Sequence, residues 1–194
     1  EDSKNNLWIG TTYGLCKISN WIGKEPAEWE KSYFKDNPVL NSKISFIYED
    51  MEGRVWFAAA NGIAYYDLRN SSVKNFTNIM GHDLSSSTSI IVDKKNRTWI
   101  GNMRGVYLYD GKNIKQINSH SGLPSNEVQS LYYDEPLDKI FIGTSNGFSE
   151  LNINLFDNYK NDPPLIRINK IVAGDSVFVD YNKLEFERDQ KDRK

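Results

Sequence analysis

The stretch Asn96 to Asp110, NRTWIGNMRGVYLYD, decides the fold, because three imperfect copies of it stand elsewhere in the chain. They are NNLWIGTTYGLCKIS from Asn5, GRVWFAAANGIAYYD from Gly53 and DKIFIGTSNGFSELN from Asp138. Aligned on the aromatic residue, Trp8, Trp56, Trp99 and Phe141, each copy has a small residue two positions on, as Gly10, Ala58, Gly101 and Gly143. Six positions after the aromatic comes Gly14, Gly62, Gly105 and Gly147. An aspartate precedes it by six residues as Asp2, Asp50 and Asp93, and by seven as Asp134. The aromatic positions advance by 48, 43 and 42 residues, and a period in the forties is that of a β-propeller blade.

The residues between these landmarks read as strands. In the second unit SKISFIYED alternates apolar Ile44, Phe46 and Tyr48, a turn follows at Met51 to Gly53, then VWFAAA, a turn at Asn61-Gly62, IAYYD and VKNFTN. Short β-branched and aromatic runs divided by Gly and Asn form an antiparallel meander, here of four strands. The third unit repeats it as SIIVD, RTWIGN, GVYLYDG and IKQIN, and the fourth as EVQSLYYD, KIFIGT, GFSELN and a last segment near Leu155 to Tyr159. The first unit lacks the strand before Trp8, so its blade is incomplete. Trp21 to Asn37 reads as an insertion whose Trp21, Trp29, Tyr33 and Phe34 either pack on the blade or present an aromatic surface.

Each recurring residue has a mechanical reason to recur. The aspartate is expected to bond the backbone amides of the tight turn behind it, and the Gly or Asn three positions on to take positive φ. The aromatic is expected to fill the space between neighbouring sheets, and the small residue on the same face to let the next blade approach. The second glycine opens the next hairpin. Trp8, Gly14, Asp50, Trp56, Gly62, Asp93, Trp99, Gly105, Asp134, Phe141 and Gly147 are therefore scaffold, with no catalytic role assigned.

Of 194 residues, 39% are hydrophobic and 13% aromatic, enough for a packed core, and the net charge of -2 is well mixed. No basic stripe exists to neutralise a phosphate backbone, which argues against nucleic acid as a partner. No apolar run reaches the roughly 20 residues that span a bilayer, and EDSKNN is unlike a secretory leader. Cys16 is the one cysteine, which excludes an internal disulfide and suits a small buried hydrophobe on a strand. The blades occupy residues 1–159. KNDPP, with Pro163 and Pro164, marks a linker over 160–164, and residues 165–194 alternate as three strands of a different module.

The repeat Asp-x-x-Gly-x-x-Trp-Ile-Gly-Thr-x-x-Gly-hydrophobic, closed by Tyr-Asp, resembles the two-component regulator propeller repeat. SGLPSNEVQSLYYD from Ser121 is similar to the Gly-Leu-Pro-x-Asn-x-Val lead-in of such repeats. The resemblance implies an all-β chain: a partial propeller of about four four-stranded blades, the first incomplete, followed by the opening strands of a triple-tyrosine β-sandwich, which PPLIRINKIVAGDSVFV resembles. It implies the periplasmic sensor part of a hybrid sensor histidine kinase of the Bacteroidetes type. It also implies an extracellular oligosaccharide as ligand, the remaining blades and sandwich of a longer chain as partners, a homodimeric parent, and no cofactor.

Propellers bind ligands at the face made by the loops between second and third strands and between blades. By repeat register the first set holds Tyr13, Asn61, Arg104 and Asn146, and the second Asn41, His82, Asp83 and Asn126. An aromatic, amides and an arginine suit sugars, and an acidic sugar if Arg104 meets its carboxylate. The candidate ligand residues are thus Tyr13, Asn61, His82, Arg104, Asn126 and Asn146, against the plainer reading of each as a hydrophilic turn. His82 and His120, the two histidines, lack the convergent ligands a metal needs. Asp83 with Glu127 is the only acidic pair for a propeller-based carbohydrate-active enzyme. An open blade edge also suits a protein assembly module.

Overall fold

The structure is a computed structural model and describes residues 1–158, 171–173 and 176–178. The chain divides into two compact units, Glu1–Asp157 and Asn158–Lys194. The first blade is a three-stranded sheet of β1 (Leu7–Thr11), β2 (Gly14–Ser19) and β3 (Glu30–Tyr33). The second is a four-stranded meander of β4 (Ile44–Glu49), β5 (Arg54–Ala59), β6 (Gly62–Asp67) and β7 (Ser72–Phe76). A small hairpin of β8 (Asn78–Ile79) and β9 (His82–Asp83) leads to the third blade, β10 (Ser89–Val92), β11 (Thr98–Asn102), β12 (Gly105–Tyr109) and β13 (Ile114–Ile117). The fourth has β14 (Val128–Asp134), β15 (Lys139–Thr144) and β16 (Gly147–Asn152), followed by the helix α1 (Ile153–Asn158).

Two expectations are corrected here. The segment read as an insertion contains β3, which pairs with β2 through Cys16↔Tyr33 and Ser19↔Glu30, so only its first part is an enlarged loop. Within that loop the half-buried Trp21 donates its indole N–H to the Asn5 carbonyl at 3.0 Å, and Trp29 donates to the Lys24 carbonyl at 3.1 Å. Phe34 stacks on Trp8 at 6.0 Å, while Tyr33 stays 60% exposed. The fourth blade has three strands among the described residues, because the segment near Leu155 turns helical. Ile153 is fully buried and Phe156 lies on Trp99 at 5.8 Å, so α1 covers the ground an outer strand would. Of the module expected over 165–194, the described part is a hairpin of β17 (Ile171–Ala173) and β18 (Ser176–Phe178), paired Ile171↔Phe178. The linker 160–164 and the rest of 165–194 lie outside the described residues.

Strand alternation sorts the core into three interfaces. Val55, Phe57 and Ala59 on one face of β5 meet Trp8 and Leu15 of the first blade, with Tyr66. Trp56 and Ala58 on the other face meet Ile90, Val92 and Ile100 of the third. Ile91 and Trp99 then meet Leu131, Ile140 and Ile142 of the fourth. Each tryptophan therefore faces the following blade. Ile90, Ile100, Ile140 and Ile142 are fully buried, each contributing about 1.5–3 kcal/mol of apolar transfer. The small residues act as expected: a Cβ at Gly10 would lie 2.7 Å from Ile44 Cγ2, and one at Gly101 2.6 Å from Val128 Cγ1. Phe141 departs from the pattern. It is half-buried against Tyr132 and no described sheet covers it.

The aspartate does more than close its turn. Asp93 Oδ1 accepts the amides of Lys95 (2.9 Å) and Arg97 (3.1 Å), while Oδ2 accepts the Trp99 indole N–H at 2.9 Å and the Arg97 guanidinium at 2.8 Å. Asp50 repeats this with Glu52, Arg54 and the Trp56 indole at 2.7 Å. Asp2 does so with Lys4, Asn6 and the Trp8 indole at 2.7 Å. Arg97 also lies over the Trp99 ring, 5.7 Å from its centre, as Arg54 does over Trp56 at 5.5 Å. Positive φ falls at Asn5, Gly53 and Asn96, the third residue after each aspartate. The expected equivalence of Asp134 fails. Phe141 has no side-chain N–H to offer, the turn is one residue longer, and among the described residues Asp134 Oδ1 accepts the Leu137 amide alone, at 3.1 Å. The buried carboxylate there is Asp138, at the positive-φ position, which accepts the Tyr133 hydroxyl at 3.0 Å and pairs with Lys94 at 2.9 Å.

These turns also lace the blades together. Ser3 donates its hydroxyl to Glu49 at 2.5 Å, Lys4 bonds the Leu68 carbonyl, Arg54 bonds Asn96 at 2.5 Å, and Arg97 reaches Asp157 of α1 at 2.6 Å. Burial works against the charge on Asp157, but Arg97 and Lys95 overcome it and hold the carboxyl below its ordinary range.

Trp99→Phe keeps one aromatic ring and deletes the indole donor with the pyrrole half that carries it, and should cost at least about 1–3 kcal/mol in urea unfolding. Asp93→Ala leaves the indole donor, two amides and the Arg97 Nε–H without their acceptor, and should cost about 3–5 kcal/mol. Equal, small losses would show that the carboxylate does not organise the turn. Because the folded-state value of Asp157 lies below the 3.8 of a free aspartate, its contribution is complete above that pH and is lost as pH falls through the folded value. Acid titrations of stability should therefore show a shallower acid limb in Asp157→Asn than in the wild type.

Candidate functional site: the loop end of the blades

The antiparallel meander sends the aspartate turns to one end of each sheet and the glycine turns, with the connections between blades, to the other. At the glycine turns φ is positive at Gly14, Gly62, Gly105 and Gly147, between 118° and 133°. A Cβ at Gly105 would overlap the Ile117 carbonyl, so the loops are held tightly against the outer strands. All eight loop residues singled out by sequence lie at this end.

The structure brings them together in two groups and leaves three apart. Arg104 donates from Nη1 to Asp83 Oδ2 at 3.0 Å, and the carboxylate also accepts the amide of Ser85 at 2.9 Å and its hydroxyl at 2.8 Å. Those bonds, the Ser85 amide first, hold Asp83 below the usual carboxylate range. The Arg104 carbonyl accepts from Gln116 at 2.8 Å, and its amide donates to the fully buried Asn102 at 2.8 Å. His82 lies 5.3 Å from the Tyr107 ring, whose phenol burial pushes upward. Arg104 thus has a carboxylate within the protein.

The second group surrounds a cavity of about 280 Å³ on the first blade. Tyr13, 90% exposed, and Asn41 stand at its lining with Thr11, Tyr33 and Lys35, over a floor of Leu15, Phe34 and Leu40. The floor is fixed by the Leu15 amide donating to the Leu40 carbonyl at 2.9 Å. Cys16, expected to be buried, is half-buried and lines this cavity. Lys35 is the residue sequence reasoning missed, and Tyr33 reads in sequence as part of a packing layer or an aromatic surface but not as a member of this site. Aligning Phe34 with Phe76 and Ile117, which take the same register opposite Ile63 and Val106, would have found them.

The other candidates form no common group, and two of them are committed to backbone groups within the loop end. Asn61 donates its side-chain amide to the Pro38 carbonyl at 3.0 Å, and Asn126 accepts the Ser119 amide at 2.7 Å. Asn146 is exposed on its turn, its backbone amide donating to Thr144 Oγ1 at 3.4 Å. Among the described residues no hydrogen bond or ion pair joins Asp83 to Glu127, and no three His, Cys, Asp or Glu side chains are grouped to hold a metal ion. No described helix is long and apolar enough to cross a membrane.

No family model and no curated protein matches the sequence. Solved structures do. One is the extracellular domain of a candidate one-component system from B. thetaiotaomicron, with 19% identity and a TM-score of 0.66 over 79% of this chain and 23% of that one. Another is PorZ, a surface component of the type-IX secretion system of Porphyromonas gingivalis, with 19% identity and a TM-score of 0.63 over 80% of this chain and 26% of that one. A third is the extracellular domain of a candidate hybrid two-component system from B. thetaiotaomicron, with 22% identity and a TM-score of 0.62 over 77% of this chain and 20% of that one. The fold is a partial β-propeller. The propeller described here spans a fifth to about a quarter of the length of those chains.

In this propeller the Arg104–Asp83 pair is half-exposed on both sides, and such pairs contribute about 0–1 kcal/mol. Arg104→Ala should therefore change thermal stability by less than about 1 kcal/mol, and added salt should weaken the wild-type pair. A larger loss on thermal unfolding would make the pair a structural element of the connection between second and third blades.

Proposed function

We propose that this chain is the ligand-sensing, extracytoplasmic part of a two-component sensor, that it binds an oligosaccharide at the loop end of its blades, and that it performs no chemistry of its own. One observation carries the reading. The two ends of the blades are built for different tasks. Three of the four aspartate turns are closed by carboxylate–indole bonds, whereas the loop end gathers exposed tyrosine, amide, lysine and arginine side chains that change from blade to blade. A rigid frame with variable polar and aromatic loops suits recognition of an asymmetric, hydroxyl-rich ligand. The shared fold with extracellular domains of bacterial sensor systems supports the same assignment.

In a dimeric parent, ligand binding would bias the signal through a difference in affinity between two arrangements of the sensor, since a ligand with equal affinity for both shifts nothing. The assembly alternative has its own observation: Tyr132 and Phe148, 63% and 72% exposed, lie with Phe141 on one face of the fourth blade. Calorimetric titration of the 194-residue chain with a panel of neutral and acidic oligosaccharides, followed by chromatography of the sugars, separates the readings. The expected outcome is saturable binding with the sugars recovered intact. Cleaved sugars would make the chain an enzyme. No binding, together with a solution mass well above 22.4 kDa, would make it an assembly module.

A further inference from the structure

The cavity on the first blade has a chemical character that the remainder of the loop end lacks. Its cation is uncommitted. Arg104 is held by Asp83, whereas Lys35 makes no ion pair among the described residues and rests over the Tyr33 ring, 5.9 Å from its centre. Tyr13 and Tyr33 are 90% and 60% exposed, an unusual state for large aromatic side chains facing a cavity with an apolar floor. The Asn41 side-chain amide carries no hydrogen bond within the described protein, in contrast to Asn61 and Asn126. At about 280 Å³ the space has room for one sugar ring, since small-molecule sites start near ~300 Å³. A shallower groove continues past the shared Tyr33, Phe34 and Lys35 towards Asn37 and Asn75.

We propose that this cavity seats a single acidic sugar residue, a hexuronate at the end of an oligosaccharide. Tyr13 and Tyr33 stack against the ring, Asn41 bonds its hydroxyls and Lys35 pairs with its carboxylate, while the adjoining groove takes the next sugar. Asp36, which lines that groove, disfavours a second carboxylate there, so the preference is for one terminal acid followed by a neutral unit or a spaced one. The inference rests on the oligosaccharide reading above and assigns its site to the first blade and not to Arg104.

The test titrates the 194-residue chain with a disaccharide ending in a galacturonate and with its neutral galactose counterpart. The wild type should bind the acid about tenfold more tightly than the neutral sugar, the usual gain from a charged hydrogen bond. Lys35→Gln should bring the two affinities to within about twofold. Tyr13→Ala, on an exposed turn, should weaken both sugars about equally, and Arg104→Ala should change neither, with unchanged melting curves as the check on folding. Acid preference that survives Lys35→Gln, or binding indifferent to Tyr13→Ala, overturns this site while leaving oligosaccharide sensing intact. Equal wild-type affinity for the two sugars does the same. A wild type that binds neither these nor any saccharide of the wider panel overturns both.

Discussion

The carboxylate that meets an indole nitrogen across a tight turn is the interaction on which the propeller depends. A sheet edge that turns back through three residues leaves amides without partners, and a tryptophan placed between two sheets buries a donor. One aspartate answers both demands. It satisfies two turn amides with one oxygen and the indole with the other, and in the second and third blades an arginine four residues on returns the charge balance while lying over the ring. The tryptophan is thereby locked in the orientation that faces the next blade, and the fit of Gly10 beneath Ile44 and Gly101 beneath Val128 follows from that orientation. Blade spacing thus traces back to a hydrogen bond near the end of each of the first three sheets.

The loop end is free to vary because the other end is not. The connections between blades close with local bonds, Asn61 to Pro38 and Asn126 to Ser119, and leave exposed side chains that no scaffold position requires. The long connection of the first blade adds Tyr33 and Lys35 to the set. The enlarged loop before β3 is held by indole bonds from Trp21 and Trp29 to backbone carbonyls, so aromatic residues serve as fasteners in the loop and, at Tyr33 in β3, as surface.

How much of this was legible in sequence depends on whether a feature repeats. The meander, the glycine hairpins, the positive-φ turn positions and the aspartate's amide bonds all follow from residues that recur at fixed spacing. The indole bond did not, because spacing alone does not say that side chains six apart meet across the turn. β3 escaped notice since all four of its residues are exposed and it shows no apolar alternation. α1 was read as a strand because it stands where the repeat demands one, although Ile153 and Phe156 have helical spacing. The hairpin of β8 and β9 had a signal in Met80-Gly81, both at positive φ, that went unused. At the loop end the positions were legible, but which of them use their polar groups internally was not: Arg104 looked available until Asp83 was found beside it.

The turns that differ have a thermal consequence. An array whose blades touch only their neighbours melts approximately as a line of coupled units, and opens first where a link is weakest. The fourth blade has phenylalanine in place of tryptophan and no indole bond, and its hold on the third adds ion pairs, Lys94 with Asp138 and Arg97 with Asp157 of α1, to the apolar contact of Ile91 and Trp99 with Leu131, Ile140 and Ile142. Amide exchange along the chain would then be graded, with the second and third blades slowest and the fourth opening as a separate step that is more sensitive to salt than the rest. The substitution of one ring for another divides a uniform repeat into a stable frame and a segment whose attachment is partly electrostatic.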